Sequence, residues 1–325
     1  VLGLATGVLA GGVLQVFIQL PPLYAHGWKV KLTKEFSHPR AKEAGLLLIP
    51  RAMGACVYQI NVFVSTILAS LSAIAGEGAV AALYYANRIW QLPLAIFGIA
   101  LAQAALPAMS RHVAANDTAK LKETLFFSLN ALFFMLVPAT AGLMVLSKPI
   151  TRILFERGAF NSYSTVITSQ ALFYYASGLA AYGGIKILVS AFYSMKDTVT
   201  PVKTAFASLV INVVFNLILM YPMKVGGLAL ATSIAAAVNF IMLYALLVKR
   251  LGDFRTKDIL NSFLRVLCAS VVMAVALIIL SSLVRYNIFT LIAAIILAII
   301  IFLLAAHIFN VRELRELLAW IAKKR

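Results

Sequence analysis

Nine apolar runs, at about residues 1–25, 45–72, 79–109, 124–146, 165–195, 205–221, 226–248, 260–284 and 288–309, take up most of this 325-residue chain. At ~1.5 Å per residue, runs of this length reach most or all of the way across a ~30 Å hydrocarbon core as helices. Lipid offers backbone N–H and C=O groups no partners, so a spanning segment must pair its own, as a helix does. The expectation is an all-α, polytopic transmembrane helix bundle of about nine spans. Composition agrees: only 12% of residues are charged and 62% are hydrophobic, against about a quarter charged in soluble domains.

The 28 Lys and Arg sort by side. With alternating loops, segments 29–42, 111–122, 196–203, 249–265 and 312–325 hold 20 of them, Lys148, Arg152, Arg157, Lys224 and Arg285 fall opposite, and Arg51, Arg88 and Lys186 lie within runs. Basic residues concentrate in cytoplasmic loops, so the split predicts a multi-pass protein of the inner (cytoplasmic) membrane with its C-terminus in the cytoplasm. A net charge of +17 raises the question of nucleic acid. Short basic loops between apolar runs do not make the continuous patch that such a partner needs, and none is expected. In the tail, Leu314, Leu317, Leu318 and Ile321 share one face opposite Arg and Lys, which predicts an amphipathic helix on the inner leaflet. The chain starts at Val1, already inside an apolar run, and is expected to have been cut from a longer one.

Enzyme chemistry finds no foothold. His26, His38, His112 and His307 are scattered, Cys56 and Cys268 stand alone in apolar runs, and no HExxH, CxxC or glycine-rich phosphate loop occurs. No catalytic residue, metal or resident cofactor is expected.

The run at 79–109 carries one charge, Arg88, ~13 Å from its start and so near mid-membrane. An arginine there costs roughly 2.5 to 3.5 kcal/mol on insertion scales, so it faces a wet cavity or an anion, or else ties two helices together through backbone carbonyls. Tyr84, Asn87, Arg88 and Gln91 follow one another at helical spacing, and Ala95, Gly98 and Ala102 continue that side. The stripe is expected to line a cavity. Lys186 lies ~13 Å from the end of its run, where it either snorkels or helps line the cavity. Pro93, Pro107 and Pro138 are candidate kinks.

Several stretches resemble one family. IPRAMG at 49–54, ALYYANRIWQLPLAIFGIALAQAALPAMSR at 82–111, FERGAF at 155–160, AFYSMKDTVTPVK at 191–203 and GGLALATS at 226–233 are similar to the MurJ/MviN lipid II flippases of the multidrug/oligosaccharidyl-lipid/polysaccharide exporter superfamily. The resemblance implies fourteen helices: two six-helix lobes facing across a V-shaped cationic cavity, then a closing pair. On that scheme 1–27 is the last helix of the first lobe, 28–43 a basic cytoplasmic loop, 44–250 the second lobe, 251–310 the closing pair and 311–325 the tail. The first five helices would be missing, and the lobe they form would be required for transport. The implied activity is flipping of lipid II, or a related polyprenyl-pyrophosphate lipid, between leaflets by alternating access. Arg88 occupies the place of the family arginine that holds the pyrophosphate, with Tyr84 and Asn87 on its face and Gln91 where some members carry Glu. Arg51 matches a family position that either extends the anion path or snorkels among the inner loops. FERGAF would lie on the outer side as a gate, with Glu156 and Arg157 as a loop ion pair.

Coupling has two candidates, sodium and the membrane potential. All eleven Asp and Glu fall in loops or at run edges. The family's sodium positions match Ser65, Asn212, Asn216 and Thr232, but acids are replaced at Ser65 and Asn216. A weak sodium site and plain polar helix packing are the two readings. The rival functions are export of another polyprenyl-linked oligosaccharide or of a cationic drug, and a non-transporting membrane scaffold. A drug exporter would be expected to use buried acids.

Overall fold

The computed structural model describes residues 2–25, 27, 56–57, 59–284 and 286–316, and every regular element among them is a helix. The chain divides into two units, 1–47 and 48–325. In the first, α1 (Leu2–Ala25) exposes apolar side chains such as Val8, Leu14, Phe17 and Tyr24.

The second unit holds α2 (Gln59–Ser70), α3 (Ala79–Ala114), α4 (Thr118–Val145), α5 (Ser147–Phe155), α6 (Ser162–Ser177) and α7 (Leu179–Ser194). It continues with α8 (Val199–Met223), α9 (Val225–Leu251), α10 (Thr256–Leu283) and α11 (Ile288–Ile308). Among the described residues seven helices are long and apolar enough to cross a membrane, and α6 with α7 makes an eighth if the bent pair counts as one span. The shorter α2 belongs to the expected run at 45–72. Residues 45–55 and 58 of that run, the basic loop at 28–43 and the tail from 317 onward lie outside the described residues.

Helix α9 packs along α6, α7 and α8, while α4 packs on α7 and α10, and α10 pairs with α11. Small residues permit this closeness. A Cβ on Gly183 would stand 2.3 Å from Leu136 of α4, and one on Gly184 would stand 2.4 Å from Phe240 of α9.

The structure departs from the sequence expectation at three places. The run expected as one helix over 165–195 bends by 44° between α6 and α7. At the bend Ser233 of α9 donates to the Tyr174 carbonyl at 2.7 Å, and a Cβ on Gly178 would stand 2.9 Å from the Ser233 Cα. Backbone on both sides leaves nothing to yield, so Gly178→Ala is expected to cost about 1–3 kcal/mol, read as a lower unfolding midpoint in detergent. Next, α3 extends beyond 109 to Ala114 and is π-helical from Leu94 to Ile99, with the Ala100 N–H donating to the Ala95 carbonyl. Pro93 offers no N–H to the helical ladder, and the wider turn absorbs the mismatch. Pro107 and Pro138 sit inside continuous helices. Last, α5 was not expected; it buries Ser147 and Thr151 and turns Lys148 and Arg152 outward.

Contacts sort the loops into two ends. At one end Arg250 pairs with Asp197 at 2.5 Å, Gly252 lies against Lys122, and Arg265 donates to the Asn310 carbonyl at 3.0 Å. Partial burial works against the Asp197 charge, yet hydrogen bonds from Thr200 and Arg250 hold its carboxyl below the usual range. Its stabilising contribution is therefore complete above the ordinary value of 3.8 and is lost only as the pH falls below it. At the other end the Tyr163 hydroxyl donates to the Glu77 carbonyl at 3.4 Å. There Glu156 pairs with Arg152 at 3.6 Å and accepts from Thr165 at 2.7 Å, so its ion pair is one helical turn back and not with its neighbour Arg157.

Candidate functional site

A cavity of about 1040 Å³ opens among α2, α3, α7, α8 and α9, with Tyr175 of α6 also on its wall. From α3 it is lined by Tyr84, Asn87 and Gln91, the polar part of the expected stripe. The Gln91 amide donates to the Asn87 side-chain oxygen at 2.5 Å. Further along, Ala95 still faces the cavity, but Gly98 and Ala102 are buried in helix packing. The π-helical turn between them adds a residue and rotates everything after it, so a stripe drawn at constant helical spacing goes out of phase.

Arg88 is exposed beside this lining and not part of it. Its guanidinium donates to the Tyr84 hydroxyl at 3.2 Å and stands 4.9 Å from that ring's centroid. Among the described residues it meets no carboxylate and no backbone carbonyl, so its donors are not spent on tying helices together. Arg51 lies outside the described residues.

Lys186 does line the cavity, and it is the sole charged side chain on the described wall. No acid joins it there. Sequence depth alone left its direction open; the structure shows it on one face of α7 with Tyr182 and Tyr193. Trp90, Tyr182, Tyr193 and Asn239 were not singled out from sequence, although Tyr182, Lys186 and Tyr193 stand at i, i+4 and i+11, a helical face that was there to be read. The Trp90 ring lies against Tyr175 (6.0 Å between centroids) and Tyr182 (4.8 Å), and its Nε1 has no hydrogen-bond partner among the described residues. The Asn239 side-chain oxygen is likewise without one.

Ser65, Asn212, Asn216 and Thr232 come together as one ladder. Asn216 donates to the Asn212 oxygen at 2.7 Å and to the Ser65 hydroxyl at 3.4 Å, and Asn212 donates to the Thr232 hydroxyl at 3.3 Å. Thr232 in turn donates to the Leu228 carbonyl at 2.9 Å. Asn212 and Asn216 are fully buried. These residues do not fit a bound sodium ion: none is a carboxylate, and the Asn216 oxygen alone is left without a hydrogen bond. Among the described residues no cluster of three or more His, Cys, Asp or Glu offers a metal site.

The sequence profile of the family described as lipid II flippase MurJ matches residues 1–311. A probable lipid II flippase MurJ from Vibrio cholerae is 38% identical over 243 residues, 74% of this chain and 46% of the relative. One from Rhizobium meliloti is 36% identical over 277 residues, 84% of this chain and 50% of the relative. The chain thus spans about half the length of the curated relatives it matches. A solved lipid II flippase MurJ in an inward closed conformation superposes with a TM-score of 0.69 at 28% identity, over 89% of this chain and 58% of that one. An outward-facing multidrug resistance transporter of the MATE family, 19% identical with a TM-score of 0.57 over 70% of this chain and 51% of that one, shares the fold. A profile match from Val1 to Val311, together with relatives above 30% identity, makes this chain a member of the MurJ lipid II flippase family.

Proposed function

We propose that this chain forms most of the second lobe of a lipid II flippase, which carries the lipid-linked peptidoglycan precursor from the inner to the outer leaflet by alternating access. The observation that carries this reading is the cavity wall: one cation, no acid, and a series of amides, hydroxyls and aromatic rings. Such a lining suits a headgroup made of pyrophosphate and sugar. Arg88 is the clamp, a planar fork of donors that stays charged at any working pH, steadied at the cavity's edge by Tyr84. Tyr84, Asn87 and Gln91 meet the headgroup beside it, Lys186 adds the second cation, and Arg51 extends the anion path. No covalent chemistry is needed, and an amino-terminal lobe completes the cavity.

The distribution of Lys and Arg supports an inner-membrane orientation in which the end holding Asp197 and Arg250 is cytoplasmic, together with the C-terminus. The ladder around Asn216 serves helix packing, which leaves the membrane potential as the coupling force. A cationic-drug exporter is disfavoured because no acid lines the described wall.

Native mass spectrometry of the chain in nanodiscs tests the clamp. Lipid II is expected to bind in preference to other polyprenyl-linked oligosaccharides, and Arg88→Ala to weaken it about tenfold, or about 1.4 kcal/mol. Equal binding by both proteins would remove Arg88 from that role. Equal binding of the other oligosaccharide lipids would shift the substrate to that rival class.

A further inference from the structure

Away from the cavity, a second pocket of about 880 Å³ lies where α5 meets the loop between α10 and α11. Its polar groups are Lys148, Arg152, Glu156 and Tyr286. Helix α5 builds one side by its own pattern. Ser147 and Thr151 are buried, Ile150 and Ile153 pack on the core, and Lys148 and Arg152, one turn apart, are left facing out. Glu156 is already engaged by Arg152 at 3.6 Å and by the Thr165 hydroxyl at 2.7 Å. Lys148 therefore has no carboxylate partner among the described residues.

The other side supplies a donor. The Tyr286 hydroxyl is buried and meets no hydrogen-bond partner among the described residues. Burial also pushes its phenol up from the ordinary range, so it keeps its proton. Next to Tyr286 the chain turns Leu283, Ile288 and Phe289 outward, all well exposed. A free inorganic anion gains nothing from such an apolar border, whereas a phosphate carried on a lipid does.

We propose that this pocket binds the phosphate of an anionic phospholipid, with Lys148 and Arg152 on the phosphoryl oxygens, the Tyr286 hydroxyl donating to one of them, and acyl chains running past Leu283 and Phe289. The assignment depends on the bundle lying in a membrane and not on what its cavity transports. Against the single carboxylate of Glu156, which Arg152 meets through Nε, the two cations leave the pocket net positive, as in basic pockets between membrane helices elsewhere.

The experiment is native mass spectrometry of the chain from micelles doped with phosphatidylglycerol, phosphatidylcholine or a polyprenyl pyrophosphate. Phosphatidylglycerol retention is expected to fall about tenfold in the Lys148→Ser, Arg152→Gln double variant and about threefold in Tyr286→Phe. It should not change in Lys257→Ser, at the other end of the bundle. Lys148 and Arg152 are exposed, so the double variant should keep the parent's unfolding midpoint, and that measurement separates lost binding from lost fold. The proposal is overturned if the double variant holds phosphatidylglycerol like the parent, or if phosphatidylcholine is held as tightly. It falls equally if millimolar inorganic phosphate strips the lipid, or if these side chains hold only the polyprenyl pyrophosphate.

Discussion

Lys186→Glu is expected to weaken binding of a polyprenyl pyrophosphate about a hundredfold, close to 2.7 kcal/mol. The reason is that Lys186 is the single charged side chain on the described wall of the cavity, so no neighbouring cation on that wall compensates for its loss. At ~6 Å and an effective dielectric of ~20, one pair of unit charges interacts by about 2.8 kcal/mol. Reversing the sign replaces an attraction by a repulsion, and water in the open cavity reduces the sum. Lys186→Arg should stay within about threefold, because it keeps the charge on a stem of similar length. Added salt should narrow the gap between Lys186→Glu and the parent. Quenching of intrinsic fluorescence provides the titration, since Trp90 lies on the same wall. Binding by Lys186→Glu at the parent's level would show that the anion does not enter past α7, and the clamp would then have to be sought at Arg88 alone.

What could be read ahead of the structure, and what could not, follows from the range over which each feature is determined. Spans are legible because lipid forces each to satisfy its own backbone, so an apolar run of sufficient length already dictates a helix. The bend at Gly178 is not legible, because its cause is Ser233 on a different helix. Tyr84, Asn87 and Gln91 were found by helical spacing within one regular segment, and Gly98 was misplaced once a π-helical turn intervened. The depth of Lys186 came from counting residues, but its direction depends on which helices surround α7. Asn212 and Asn216, four apart, announce a shared face by themselves; their contact with Ser65 needs the packing of α2 against α8. Amphipathic α5 was missed because it is short, though the spacing of Lys148 and Arg152 against Ile150 and Ile153 carried the signal.

The ladder leads to the other large effect: Asn216→Asp should destabilise the bundle by about 3–5 kcal/mol, measured as a fall in unfolding midpoint. Asn216 is fully buried, and its amide nitrogen donates to the Asn212 oxygen at 2.7 Å. A carboxylate oxygen in that place would face another acceptor at hydrogen-bonding distance. Turning the Asn212 amide to meet it would break the bond to Thr232, so the strain moves along the ladder and does not disappear. Asn216→Leu gives the comparison that isolates the charge. It abolishes the unpartnered Asn216 oxygen but leaves the Asn212 oxygen without a donor, a loss of about 1–3 kcal/mol. The aspartate variant should therefore be the less stable of the two, and sodium chloride, compared with choline chloride, should restore part of its stability by neutralising the new charge. The parent should be indifferent to that exchange, since its ladder is neutral and bonded to itself. A parent stabilised selectively by sodium would overturn the packing reading, and the Asn216 oxygen would then be the first ligand to test.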